Sequence, residues 1–152
     1  MARFNKLLLA IDLSPESDLL INRVVEMCQD EVDKLHVVHV IKQGLHDTNL
    51  SKLNSDSNPN SCYNPHAQRV IDHTATRLRE VLVRNGLNIP VDKIFLTYGE
   101  PAFEIKKLAG EIAADLVIVG SHSKADDWMH LPGATTNCVI QGIESDVMAV
   151  KV

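Results

Sequence analysis

The feature that most constrains this chain is a set of apolar runs with almost no polar alternation. Lys6-Leu7-Leu8-Leu9-Ala10-Ile11-Asp12 is one, and Ala114-Asp115-Leu116-Val117-Ile118-Val119-Gly120 is another. A strand with one wet face alternates apolar and polar residues, whereas an unbroken run needs cover on both faces. That is the situation in a parallel sheet flanked by helices. Lys34-Leu35-His36-Val37-Val38-His39-Val40-Ile41, Val91 to Tyr98 and Asp146 to Val152 read as three further strands.

Helical spacing fills the intervals. After the first run, Ser14 is a candidate N-cap and Pro15 suits the first helical position. Glu16 suits the positive end of the dipole. Leu19, Leu20, Val24 and Met27 then recur at helical spacing, which predicts a helix from about Pro15 to Asp30. From Pro65, Val70, Thr74, Leu78 and Leu82 mark a second helix to about Asn85, with Gly86 at C′. Gly99-Glu100-Pro101 turns into a third helix over 102–112, and a fourth is expected over 134–142. Strand and helix alternate through 152 residues, which implies one domain built as an open parallel sheet with helices on both faces. Residues 42–64, rich in Ser, Asn and Asp, form a polar loop insertion whose length marks it as either functional or disordered. In sheets of this kind ligands sit beyond the carboxyl ends of the strands, where strand order reverses. Asp12 and Gly120 lie at such ends.

Several functions are excluded or left without support. The net charge is −5 and aromatics are 4%, so neither a basic patch nor base-stacking platforms point to nucleic acid. No apolar run approaches the about 18 residues of a membrane span, and Leu7 to Ile11 is too short for a signal-peptide core. Cys28, Cys62 and Cys138 are odd in number and far apart, neither a disulfide framework nor a zinc cluster, which fits a reducing cytoplasm. Cys28 and Cys138 read as core residues and Cys62 as exposed in the polar loop. His36 and His39 are three apart on a strand and face opposite ways, so they cannot share an ion. His66 and His73 stand about 10 Å apart along a helix. His122 and His130 flank one loop, yet no metal site is expected. Neither a G-x-S-x-G elbow nor a phosphate-binding G-x-x-x-x-G-K-[ST] loop is present, and no catalytic residue is expected. Asp12 has two readings: a carboxylate of a ligand site, or a side chain that ends the first strand and supports the turn.

Leu8-Leu9-Ala10-Ile11-Asp12-Leu13-Ser14-Pro15-Glu16-Ser17 resembles the opening of universal stress proteins, and Ala114 to Ser123 resembles their fourth strand and following loop. Gly133 and the last strand continue the likeness, which is nearest to the universal stress protein A type. The resemblance implies a five-stranded sheet in the order 3-2-1-4-5, an adenine-nucleotide alpha-hydrolase-like architecture. Many members bind ATP through a glycine, two residues, a glycine, nine residues, and a glycine followed by serine or threonine. Here Gly120 and Gly133 match at the right spacing. Ser123 replaces the middle glycine, and Ala134 replaces the hydroxyl residue, with Thr135 next. Asp12 matches the acidic residue near the nucleotide, and Val40 matches an adenine-contact position. Glycine allows close approach of backbone N–H groups to phosphate. One hydroxyl hydrogen bond lost from a charged group costs about 1.5–3 kcal/mol, or one to two decades of affinity. Asp126 and Asp127, in a loop with Trp128, add like charge, and the A-type proteins are generally regarded as not binding ATP.

At the edge of such a sheet the last strand would present Val147, Met148, Ala149, Val150 and Val152, with Lys151 its only charge after Asp146. An apolar edge needs cover. A second copy paired antiparallel about a two-fold axis supplies it, as the resemblance also implies; a loop of the same chain is the alternative. The expectation is therefore a cytoplasmic, non-enzymatic stress-response homodimer with no required cofactor. The rival is an ATP-binding sensor using Asp12, Val40, Gly120, Ser123, Gly133, Ala134 and Thr135.

Overall fold

A computed structural model describes residues 4–42, 65–121 and 138–152. Five strands, β1 (Leu7–Ala10), β2 (Leu35–Ile41), β3 (Ile94–Tyr98), β4 (Leu116–Ser121) and β5 (Asp146–Lys151), pair in parallel in the order β3-β2-β1-β4-β5. The helices are α1 (Ser17–Met27), α2 (Pro65–Arg84) and α3 (Pro101–Glu111), and residues 138–140 are helical.

The unbroken apolar runs are explained by the two layers that cover the sheet. Leu7 and Leu9 of β1 pack on one face with Leu20, Ile21 and Val24 of α1 and with Leu78 and Leu82 of α2. Leu8 faces the other way, against Ala102, Ile105 and Leu108 of α3 and Val139. Leu7, Leu8 and Leu9 are all fully buried, and each such side chain contributes about 2 kcal/mol of transfer free energy. β1 is central, so its ends define where the two halves of the sheet diverge.

Five local expectations are corrected. Helix α1 starts at Ser17, not Pro15, because the preceding residues form a separate turn: Ser17 N–H donates to the Ser14 carbonyl at 3.0 Å. Ser14 is not the cap; its Oγ is buried without a partner among the described residues. The inward stripe of α1 is Leu20, Ile21, Val24 and Cys28, which leaves Leu19 and Met27 about half exposed. The third strand begins at Ile94, since Val91–Lys93 closes a 3-10 turn in which Lys93 N–H donates to the Pro90 carbonyl. Cys138 is exposed, and its neighbour Val139 is the residue that faces the core. Cys28 is buried as expected, which pushes its thiol pKa up. Cys62 and residues 43–64 of the polar loop lie outside the described residues.

Two helices end alike. Gly86 sits at φ 78°, with Leu87 N–H donating to Leu82 O at 2.9 Å and Gly86 N–H to Val83 O at 3.0 Å. This is the Schellman pattern, which needs a left-handed residue at C′. After α3 the same position is held by Ala113 at φ 52°, with Ala114 N–H on Ala109 O. A Cβ there costs about 1–2 kcal/mol, against which glycine loses some chain entropy on folding. Ala113 is exposed, so Ala113→Gly is expected to stabilise the fold by about 0.5–1 kcal/mol, read as a higher urea midpoint with unchanged slope. A lower midpoint would show that the alanine carries no strain.

Candidate functional site

β1 is flanked by β2 on one side and β4 on the other, so the strand order reverses at its carboxyl end. A cavity of about 600 Å³ opens there. Its floor is the last turn of apolar side chains, including Ile11, Val40 and Val119, all less than a tenth exposed.

The first wall is the β1–α1 turn. Ile11 N–H donates to Val38 O at 2.9 Å, which carries the sheet one residue past β1. The chain then reverses through Leu13, a non-glycine residue at φ 56°. The Asp12 carboxylate holds that reversal: its Oδ1 accepts from Ser14 N–H at 3.0 Å and from the Ser17 hydroxyl at 3.2 Å. Ser17 is only 3% exposed, so Asp12 satisfies a buried donor as well as bordering the cavity. The turn-supporting reading of Asp12 is thus seen in its contacts, and the same residue borders the cavity.

The expected site residues fall into two groups. Asp12, Val40 and Gly120 come together around the cavity. Ser123, Gly133, Ala134 and Thr135 lie outside the described residues, as do His122, Asp126, Asp127, Trp128 and His130. Gly120 also has a structural role. A Cβ there would lie 3.3 Å from Leu20 Cδ2 and 3.7 Å from Val152 Cγ2, so the missing side chain makes room for the α1 core. At the opposite edge, Val147, Met148 and Val152 are half-buried, Ala149 is exposed, and Val150 is 6% exposed within the core cluster that contains Leu20.

Three polar residues of the cavity wall went unrecognised in the sequence. In the sequence His39 stands out only as the partner of His36 on the strand. Its Nδ1 lies 2.6 Å from Ile11 O; a carbonyl can only accept, so Nδ1 carries the proton and Nε2 is the acceptor of the neutral ring. His36, on the other side of the strand, instead stacks on Phe95 and bonds Lys34 O. Arg77 lies three residues after Thr74, on the same face of α2, and both line the cavity. Lys42 enters from the end of β2. Thr74 holds a core-face position in the helical pattern, and the i, i+3 spacing to Arg77 is the sequence signal that puts the arginine beside it.

Burial pushes the His39 pKa below its ordinary value, and the nearby Arg77 acts in the same direction; the Ile11 carbonyl and Asp12 oppose both. The folded state therefore binds fewer protons than the unfolded chain between the depressed pKa and about 6.5. Stability rises with pH across that window, is full above it, and is lost as pH falls. His39→Gln is expected to flatten this part of the pH–stability profile, measured by denaturant melts from pH 5 to 8. An unchanged slope would assign the dependence to another group.

Among the described residues there is no group of three His, Cys, Asp or Glu side chains able to hold a metal, and no helix is long and apolar enough to cross a membrane.

The chain is 27% identical over 153 residues to universal stress protein A homolog 2 of Coxiella burnetii, covering 100% of this chain and 98% of that one. Among solved structures, the hypothetical protein MJ0577 superposes with a TM-score of 0.69 at 21% identity, covering 97% of this chain and 96% of that one. A universal stress protein solved in complex with cAMP superposes with a TM-score of 0.60 at 18% identity, covering 97% and 96%. Residues 3–151 match the universal stress protein family. With the sheet order, the switch-point cavity and the match along almost its whole length in agreement, the chain belongs to the universal stress protein family.

Proposed function

We propose that this universal stress protein is a non-enzymatic, cytoplasmic stress-response factor whose switch-point cavity takes an adenine nucleotide and whose working form is a homodimer. The observation that carries the ligand reading is the convergence of Asp12, Val40 and Gly120 from three strand ends on one cavity of about 600 Å³, a size suited to a small organic ligand. The cAMP complex of a structural relative supports the same ligand class. The test is to denature freshly purified protein and search for released nucleotide, then to titrate AMP and ATP by calorimetry with and without Mg²⁺. Saturable binding is expected for at least one of them. An empty cavity with no heat from either would end the nucleotide reading and direct the search to protein partners.

The homodimer rests on β5. Among the described residues it pairs only with β4, and Asp146 and Val152 donate their N–H groups to that side. By alternation, Val147, Ala149 and Lys151 direct theirs to the open edge. An antiparallel copy centred on Ala149 would pair Val147 with Lys151 and satisfy that row. Light scattering should then give twice the 16.8 kDa of one chain. A single-chain mass at micromolar concentration would remove the dimer.

A further inference from the structure

We propose that the cavity seats the anionic group of its ligand on the β2–α2 flank, between Lys42 and Arg77, as a phosphate monoester whose apolar body lies on Ile11, Val40 and Val119. The identity of the body rests on the nucleotide reading above; the position of the anion does not.

The charged residues that line the cavity come from different elements: Asp12 and Glu16 from the β1–α1 turn, Lys42 from the end of β2, and Arg77 from α2, where it acts electrostatically on His39 of β2. Asp12 is engaged by Ser14 and Ser17. Lys42 and Arg77 make no ion pair or hydrogen bond among the described residues, although Arg84, two turns further along α2, is held by Asp18. Leu78, beside Arg77, is fully buried, which anchors the helix face from which Thr74 and Arg77 reach the cavity. A guanidinium offers a planar fork to two phosphate oxygens, an ammonium offers a point charge, and the Thr74 hydroxyl is a further donor. Burial favours the neutral form of the His39 ring, and with its Nδ1 proton committed to Ile11 O the neutral ring presents Nε2 as an acceptor, which fits a protonated or hydroxyl-bearing part of the ligand rather than the anion.

Position separates this seat from one on the β4 side. Neighbouring strands stand about 4.8 Å apart, so the ends of β2 and β4 are about 10 Å apart with β1 between them. One phosphate cannot occupy both flanks. A nucleoside without phosphate would use the apolar floor and the β1–α1 turn alone.

The experiment is calorimetric titration of adenosine, AMP and inorganic pyrophosphate into the wild-type chain and into the Lys42→Gln/Arg77→Gln double variant. Both residues are exposed, and a thermal melt checks that the variant keeps its fold. AMP should bind the wild type at least tenfold more tightly than adenosine. The double variant should lower AMP to the level of adenosine and leave adenosine within twofold. Equal binding of AMP and adenosine by the wild type would overturn the anion seat while keeping the nucleoside site. An AMP advantage that persists in the double variant would place the phosphate elsewhere. If adenosine fails to bind but pyrophosphate binds and is lost in the variant, the nucleotide reading falls and the anion seat stands. Binding of none of the three would remove both.

Discussion

Val150→Lys is expected to lower Tm by about 6–20 °C, whereas Ala149→Pro should leave the melt almost unchanged and the chain monomeric. The two positions are adjacent on β5, yet their side chains point to opposite faces. Val150 is 6% exposed and packs in the core cluster with Leu20, Leu9 and Ile118. An ammonium there would be buried without a counter-charge, at a cost of about 3–5 kcal/mol. That is a large part of the about 5–15 kcal/mol that holds a domain together, and each kcal/mol lowers Tm by about 2–4 °C at this size. Ala149 is exposed, and its N–H points away from β4. Proline at an edge position whose donor faces outward spares the ladder to β4 and removes one donor from the open edge. Thermal melts and light scattering on the pair separate fold from assembly. A Val150→Lys monomer that melts with the wild type would show that this side chain faces a partner and not the core. An Ala149→Pro dimer would place the interface away from β5.

The sheet was legible because burial on both faces leaves a direct trace. Leu7-Leu8-Leu9 and Leu116-Val117-Ile118-Val119 have no polar residue to mark a wet side, and all seven are buried. Ends of elements were less legible, since side chains decide them through contacts that propensity does not contain. Pro15 carries a strong helix-start signal, but Asp12 captures Ser14 and Ser17 and delays the helix to Ser17. Val91 has the β-branch of a strand residue, but Pro90 and the 3-10 turn hold it outside the sheet, 69% exposed. The site divided in the same way. Asp12 and Gly120 were found because strand ends can be read from apolar runs. Arg77 and Lys42 were missed because they reach the cavity from α2 and from the end of β2. Their convergence depends on how α2 packs over the sheet: the i, i+3 spacing puts Arg77 beside Thr74 but does not put that face of α2 at the cavity.

The Asp12 side chain serves the turn and the cavity together, and two substitutions should part those roles. Asp12→Ala removes the acceptor of the Ser17 hydroxyl, which has almost no access to water, and of the Ser14 N–H. A buried donor left unsatisfied costs about 1–3 kcal/mol, and bonds to a carboxylate lie at the upper end. The left-handed Leu13 also loses the contact that over-determines it. A loss of about 2–3 kcal/mol is therefore expected, or about 5–10 °C in Tm. Asp12→Asn keeps a carbonyl oxygen where Oδ1 accepts, so the turn should survive within about 1 kcal/mol while the charge is gone. If the carboxylate also receives a donor from the bound base, adenosine and AMP should both weaken at least tenfold in Asp12→Asn, with the melt almost unchanged. Unchanged affinity in that variant would confine Asp12 to the turn, and the cavity would then recognise its ligand through the apolar floor and the β2–α2 flank alone.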